Sequence, residues 1–345
     1  MTNIVPKIEI QSILFLTKNK IFIDEVTNFI TTWNNDSPYF YTKTSGSTGI
    51  PKQIELEKSR AVSSALRTGE FFNYKEGDSL VMCLSITTIG AKMQLVRAAV
   101  NKMQLIICEP SKNPLTELNL KKASQISLVP LQLEYLLEHA LEKLQLFKSI
   151  LVGGAALNEK TRQLILVYKL NVFESFGMTE TYSHIALRHV DEKSITFKAL
   201  NGVSFSTNQS QLCISAPHLA INMLKINDLV DLISPTEFKW IGRSDFTINS
   251  GGYKFLPEQL EQKLEGKMSF PYFILGEKNE QLGQRVTLFV EHSYSEELNE
   301  QIMGLCKQHY EPYEIPKIIH FVPEFKRTTS GKLDRLETQK LHLES

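Results

Sequence analysis

The chain has little of what marks a secreted, membrane-spanning or nucleic-acid-binding protein. Only four cysteines occur in 345 residues, far apart at Cys83, Cys108, Cys213 and Cys306 and three of them inside apolar runs. That scarcity excludes a disulfide framework or a cysteine metal cluster, and predicts buried thiols. Charge of either sign is not in excess: Lys plus Arg and Asp plus Glu number 38 each. A balanced chain has no field for gripping nucleic acid or an anionic membrane. No apolar run approaches the length of a membrane span, and the first residues lack the basic-then-apolar order of a secretion signal. Internal repeats and low-complexity tracts are also missing. The expectation is a cytoplasmic, enzyme-sized protein without membrane insertion, long enough to bury cores in two domains.

What is present is concentrated between Tyr41 and Leu56, Tyr-Thr-Lys-Thr-Ser-Gly-Ser-Thr-Gly-Ile-Pro-Lys-Gln-Ile-Glu-Leu. Phe40 and Tyr41 lead in and Gln53–Leu56 alternates polar with apolar on the way out, so the stretch reads as strand, tight loop, strand. Between the strands stand the hydroxyls of Thr44, Ser45, Ser47 and Thr48, the glycines Gly46 and Gly49, and Lys52. Glycine permits positive φ, which turns successive N–H groups toward one anion, while hydroxyls and a lysine add donors and charge. The segment therefore reads as a polyphosphate clamp, with a flexible Ser/Gly turn as the alternative. A P-loop is excluded, because Pro51 occupies the position of its second glycine and Gln53 follows the lysine.

Patterning along the rest predicts an α/β protein. Strands are expected at Gln11–Leu16, Ser79–Ser85, Met103–Cys108, Ile126–Val129, Ser149–Val152 and Asn171–Glu174. Helical spacing occupies Phe22–Ile30, Ala61–Phe72, Ala91–Val100 and Leu131–Leu146, and Asn158 caps a further helix through Lys169. Alternation of this kind implies a largely parallel sheet covered on both faces, with ligands gathered beyond the carboxyl ends of its strands. From His184 to Ile241 the chain turns β-rich, as an antiparallel sheet or small barrel. Gly242–Ser244 is the expected boundary. Beyond it lies a compact α+β unit: a hairpin over Phe246–Phe255, a helix opened by Pro257, then strands, a helix over Ser295–His309, and a last turn at Thr329–Lys332.

A second constellation is Glu174-Ser175-Phe176-Gly177-Met178-Thr179-Glu180-Thr181. An aromatic ring before a glycine offers a face to a purine, and a threonine followed by a glutamate supplies a phosphate donor and an oxygen ligand for Mg²⁺. The bland alternative is a strand-to-loop connection with a solvated glutamate.

Taken in order, Thr44–Lys52, Gly153-Gly154-Ala155, Phe176–Glu180, Gly242-Arg243-Ser244-Asp245 and Gly331-Lys332-Leu333-Asp334-Arg335 resemble the motifs of the adenylate-forming superfamily, which includes acyl- and aryl-CoA ligases. The resemblance runs from residue 39 to residue 335. It implies that superfamily's fold: a large N-terminal domain (1–242) with a shortened front, built from mixed or parallel sheets, helices and a β-rich subdomain, and a small mobile α+β domain (243–345). It implies ATP, Mg²⁺ and coenzyme A as ligands. Phe176 is then the adenine platform, the glycines at 153 and 154 make room for the base, and Glu174, Ser175 and Gly177 belong to the same nucleotide site. Thr179 meets the α-phosphate, Glu180 holds Mg²⁺, and Asp228 and Arg243 reach the ribose. Asp245 is the hinge, Ser250-Gly251-Gly252-Tyr253 the loop toward the thiol, and Lys332 the catalytic lysine of adenylation. Asn227 stands where the family usually has glycine before Asp228, and Asn249 where it often has a basic residue.

Within the superfamily the layout is similar to compact o-succinylbenzoate–CoA ligases of menaquinone synthesis, which implies a dicarboxylic aryl acid as substrate. Gly90, Lys92, Ser183 and His184 are the expected acid pocket. Lys92 is the candidate partner for the acid's second carboxylate, with a helix-end lysine facing water as the alternative. Arg97 is expected to point into solvent. Other implied readings are a ligase for another acid, one loading a carrier protein, or a non-catalytic nucleotide-binding module. The thinner cover expected on the sheet leaves room for a homodimer contact.

Overall fold

The computed structural model describes residues 4–43, 53–328 and 333–344. The first part of the chain alternates as expected: β1 (Ile13–Phe15), α1 (Lys20–Asn34), β2 (Tyr39–Lys43), β3 (Gln53–Glu57), α2 (Lys58–Phe72), β4 (Ser79–Met82) and α3 (Ile89–Val100). Next come β5 (Gln104–Ile107), β6 (Ala123–Leu128), α4 (Pro130–His139), α5 (Leu141–Leu144), β7 (Phe147–Val152), α6 (Glu159–Val167), β8 (Val172–Met178) and β9 (Ser183–His189). The β-rich stretch supplies β10 (Phe197–Ala199), β11 (Ser204–Asn208), β12 (Gln211–Ala216), β13 (Ile221–Ser234) and β14 (Glu237–Arg243).

All but β2 and β3 of these strands join one twelve-stranded sheet, in the order β1-β5-β4-β6-β7-β8-β9-β10-β14-β13-β12-β11. From β1 to β8 neighbouring strands are parallel, and from β8 onward they are antiparallel. The two halves meet at the β8–β9 hairpin. Helices α1, α2 and α3 cover one face over a core that includes Phe29, Trp33, Phe40, Met82 and Met93. Helices α4, α5 and α6 cover the other through Leu133, Leu136, Leu144 and Ile165. Strands β2 and β3 form a separate antiparallel ribbon. Phe40 ties that ribbon to the first core, packed 5.6 Å from Trp33 and 6.0 Å from Phe29.

After a short turn at Ser244–Phe246, the chain builds β15 (Ile248–Ser250), β16 (Tyr253–Phe255), α7 (Pro257–Leu264), β17 (Tyr272–Asn279), β18 (Gly283–Glu291), α8 (Glu296–His309), β19 (Ile318–Val322) and α9 (Arg335–Glu344). Their five strands form a sheet of their own. Its core takes Leu260 and Leu264 from α7 and Ile302 and Cys306 from α8.

Four expectations need correction. The helix expected over Leu131–Leu146 breaks at Ala140, whose extended φ of −155° ends α4 and lets α5 start afresh. The β-rich stretch extends the main sheet instead of forming a separate barrel. Strand β13 runs on to Ser234, through Asp228. Strand β11 and helix α9 carry too few apolar residues to announce themselves. The four cysteines are buried free thiols, as expected. Among the described residues, no helix is long and apolar enough to cross a membrane.

Candidate active site

The carboxyl end of β7 lies beside the middle of β8, because the two strands pair in parallel from Ile150 and Val172 to Val152 and Glu174 while β8 runs on to Met178. The Gly153–Leu157 loop leaves β7 there, and consecutive residues of β8 brace both its ends. Ser175 donates its hydroxyl to the Val152 carbonyl at 3.0 Å. Glu174 accepts the Leu157 N–H at 3.2 Å. A Cβ on Gly153 would run into Ser175 Oγ, and Gly154 has a φ of +99°. The glycines thus serve the close approach of β8 and a left-handed turn, a local steric reason that stands beside the expected room for a base. Ala155 is exposed beside them.

The Glu174 side chain is 3% exposed and turned into the protein, against its expected part in direct nucleotide contact. Arg162 Nη2 at 2.5 Å and Arg188 Nε at 2.9 Å share one of its oxygens. Two charge-assisted hydrogen bonds and a backbone donor offset the cost of burying this carboxylate. Gly177 is also reassigned: a Cβ there would meet the backbone of β9, with His184 Cα at 2.6 Å. It permits the register shift of the β8–β9 hairpin between Phe176 and Gly177. Phe176 itself is half-buried, edge-on to Phe238 at 5.0 Å and tilted against Phe197 at 5.6 Å. These contacts fix the ring while part of it stays exposed.

The hairpin turn carries Thr179 and Glu180. Thr181, fully buried, accepts the Met178 N–H at 2.9 Å and donates to the Ser183 carbonyl at 2.8 Å, which closes the turn. Tyr182 and Ser183 take φ of +55° and +87° to bring the chain back. Thr179 is buried, and Glu180 is exposed with no described residue paired to its carboxylate. Among the described residues no group of three or more ligand-type side chains converges as a metal cage. One exposed carboxylate fits Mg²⁺, which keeps most of its shell as water and substrate phosphate oxygens.

Asp228 in β13 faces Arg243 in β14 across the ladder. It accepts the Trp240 indole N–H at 2.7 Å and lies 3.6 Å from Arg243 Nη1. Burial pushes its pKa up, opposed by the Trp240 hydrogen bond and the Arg243 charge. Arg243 also grips Asp245 with two nitrogens, at 2.9 and 2.6 Å, so the guanidinium spans Asp228 and the expected hinge. Ser250 and Tyr253 pair across a two-residue turn in which Gly251 and Gly252 have φ of +57° and +87°. Tyr253, 55% exposed, stacks 4.8 Å from Tyr313.

The expected acid pocket divides. Gly90 opens α3 with only ordinary van der Waals contact, 3.5 Å to Leu84, at the position of a Cβ. Lys92 is 9% exposed, so the water-facing alternative fails, and its Nζ donates to the Tyr41 carbonyl at 2.8 Å. Arg97 corrects its expectation outright: it is 2% exposed and donates from Nη2 to His184 Nδ1 at 3.3 Å. Since Arg97 is donor-only, Nδ1 is the acceptor and His184 Nε2 carries the proton, 3.0 Å from Thr68 Oγ1. Burial, then the Arg97 charge, hold the His184 pKa well below its ordinary value.

Gln94 lies one turn before Arg97 on the same side of α3, opposite Lys92. Both polar atoms of Gln94, Arg97 Nε and Ser127 Oγ are buried without a hydrogen-bond partner among the described residues. Ser127 pairs in register with Met82 and therefore faces the same side of the sheet. Buried polar groups of this kind take a water or another polar group as partner. The signal for Arg97 and Gln94 was available: α3 is apolar on every side, as buried helices are, so its polar residues are buried too.

Thr44, Ser45, Gly46, Ser47, Thr48, Gly49, Lys52 and Lys332 lie outside the described residues. Their nearest described neighbours are β2, β3 and the Arg327–Leu333 bridge.

A parallel sheet that turns antiparallel at the β8–β9 hairpin, followed by an α+β unit joined through Arg243 and Asp245, is the arrangement of the adenylate-forming class of folds. The family model described as AMP-binding enzyme matches residues 10–206, more than half of the chain, and its C-terminal domain model matches residues 273–332. The chain belongs to the AMP-binding enzyme family. The 2-succinylbenzoate–CoA ligase of Haemophilus influenzae is 24% identical over 329 residues, covering 90% of this chain and 72% of that protein. The same enzyme of Staphylococcus aureus is 25% identical over 344 residues, covering 90% and 69%. Among solved structures, an acyl-CoA synthetase (AMP-forming)/AMP-acid ligase II-like protein from Dyadobacter fermentans is 30% identical with a TM-score of 0.62, covering 94% of this chain and 95% of that one. The O-succinylbenzoate coenzyme A synthetase of Bacillus subtilis in complex with ATP and magnesium has a TM-score of 0.75 at 22% identity, covering 87% and 69%.

Proposed function

We propose that the protein is an ATP-dependent, AMP-forming acid–CoA ligase that converts o-succinylbenzoate to o-succinylbenzoyl-CoA. The observation that carries this reading is the set of buried polar groups at Gln94, Arg97, Ser127 and His184, whose histidine pairs with Gly177 of the Phe176–Glu180 motif. A buried guanidinium with unspent donors suits an acid that keeps one carboxylate after the other is activated. The curated ligases that match nine-tenths of the chain support it.

In the first half-reaction one carboxylate of the acid attacks the α-phosphorus of ATP, forming acyl-adenylate and releasing pyrophosphate. In the second, the thiol of coenzyme A attacks the acyl carbon and AMP leaves. The chain contributes positioning and charge neutralisation. Phe176 and the braced Gly153–Leu157 loop hold the base, Asp228 and Arg243 face the ribose, and Thr179 meets the α-phosphate. Glu180 would hold Mg²⁺, which when bound neutralises charge on the phosphates. The Thr44–Lys52 segment takes the departing phosphates and Lys332 the charge between carboxylate and α-phosphate. The domain after residue 242 then pivots at Asp245 and brings Ser250–Tyr253 toward the thiol, a gating step separate from bond making.

ATP–pyrophosphate exchange across a panel of acids tests the reading. Exchange stimulated by succinylbenzoate, followed by consumption of coenzyme A, is the expected result. Exchange with other acids alone favours the second reading, a different aryl or acyl acid, which the 30% identity to the Dyadobacter protein supports. No exchange with any acid leaves a nucleotide-binding module. A cytoplasmic location and a homodimer belong to the same proposal. Ile10, Leu14 and Ile21 are exposed apolar residues near the β1 edge, and sedimentation tests whether they are covered in solution.

A further inference from the structure

We infer that Lys92 is a positioning residue for the triphosphate, acting through the β2–β3 ribbon, and not a ligand of the acid. The inference rests on the adenylating reading above and moves Lys92 from one substrate to the other.

Lys92 leaves α3 on the side opposite Gln94 and Arg97 and reaches toward α1 and β2. Its Nζ donates to the carbonyl of Tyr41 at 2.8 Å and lies 5.6 Å from the centre of the Phe29 ring. No carboxylate of the described residues offsets the effect of burial on it. An ammonium buried without a counter-ion is costly, and a carbonyl dipole with an aromatic face offsets only part of that cost. Burial accordingly lowers its pKa to about 8, which leaves it mostly charged at neutral pH.

The charge has two consequences for the ribbon. Strands β2 and β3 pair only with each other, so each has an outer edge whose backbone groups need other partners. Lys92 supplies one for β2, two residues before the strand ends at Lys43. It also places an uncompensated positive charge beneath the ribbon that leads into the hydroxyl- and glycine-rich Thr44–Lys52 segment, where a polyanion is the ligand of matching sign. A lysine in the acid pocket would instead face the unpartnered Gln94 and Arg97 atoms, and helix geometry turns Lys92 away from them.

Steady-state kinetics of Lys92→Met and Lys92→Arg, with ATP and the acid varied in turn, separate these roles. Lys92→Met should raise KM for ATP by roughly 10-fold or more, leave KM for the acid within about twofold, and recover most of the loss as Lys92→Arg. A raised KM for the acid with ATP unaffected overturns the inference, as does a variant with both constants unchanged. Hydrogen exchange adds a readout independent of turnover: peptides spanning residues 39–43 should exchange faster in Lys92→Met, while those of α3 keep their protection. If Lys92→Met does not fold, Lys92→Gln and Lys92→Arg carry the same comparison. Direct titration of wild type and variants with Mg·ATP tests Lys92 even if no acid stimulates exchange, so its failure and that of the ligase assignment remain distinguishable.

Discussion

The backbone N–H of Glu57 donates to the hydroxyl of Tyr182 at 3.0 Å, which joins the last residue of β3 to the turn that carries Thr179 and Glu180. Ser64 in α2 adds a bond to the Tyr182 carbonyl at 3.2 Å. Strand β3 and the Thr179–Glu180 turn are therefore tied together, although 125 residues separate Glu57 from Tyr182 in sequence. Tyr182→Phe should keep the ring packed and remove only the acceptor, a loss of about 1 kcal/mol. We expect KM for ATP to rise by roughly 3- to 10-fold and KM for the acid to stay constant. Equal effects on both substrates would mean that the hydroxyl supports general stability and not the nucleotide side.

Arg97 makes the opposite prediction. Its guanidinium is fully buried, with Nε unpartnered, and burial lowers its pKa to about 10, still charged at working pH. Arg97→Met keeps length and apolar packing but removes the charge. KM for succinylbenzoate should rise by roughly 30-fold or more, as for losing a desolvated charge-assisted bond, while benzoate-type acids without the second carboxylate change little. A uniform loss over both kinds of acid would take Arg97 out of the pocket.

How far the sequence could be read depended on whether a residue's role was local. The β8 motif, the Gly251-Gly252 turn and the Asn158 cap, which accepts the Thr161 N–H at 2.8 Å, announce themselves because neighbouring residues complete them. Glu174 looked like part of a nucleotide motif. Its partners Arg162 and Arg188 are 12 and 14 residues away, and only the fold reveals that they spend its carboxylate. The same holds for Gly177, whose constraint is the backbone of β9. Arg97 was misjudged because an arginine on a helix usually faces water. On α3 every side is buried, and that helix-wide pattern outweighs residue type.

The brace on the Gly153–Leu157 loop can be tested by exchanging volume between its two sides. Gly153→Ala places a methyl against Ser175 Oγ and should raise KM for ATP by roughly 10-fold. Adding Ser175→Gly empties that position and should recover much of the loss, giving a coupling energy of about 1 kcal/mol in the double-mutant cycle. Strictly additive effects would show that the two residues do not meet.

Lys332 should separate the half-reactions. Lys332→Ala is expected to slow adenylate formation by roughly 10²–10³, the size of losing one preorganised donor. Thioester formation from supplied acyl-adenylate should persist, since the lysine acts on the charge of the first step alone. Single-turnover measurement of each half checks this, and equal losses would remove Lys332 from adenylation.

The small α+β unit carries a pH dependence that can be worked out from Glu261 and Arg335. Glu261 accepts the Ile274 N–H at 2.7 Å and Arg335 Nη2 at 2.8 Å, yet burial outweighs both and raises its pKa from 4.5 to about 7. Between those two values the folded protein keeps a proton that the unfolded chain has already lost. Stability from this group is therefore full below about pH 4.5 and declines as pH rises toward 7, by on the order of 2–3 kcal/mol. Glu261→Gln stays neutral throughout, so its stability relative to wild type should increase across the same interval. Urea titrations of both proteins from pH 4.5 to 7.5 measure the difference. If wild type instead gains on Glu261→Gln as pH rises, the Arg335 charge dominates and the carboxyl is ionised well below neutrality.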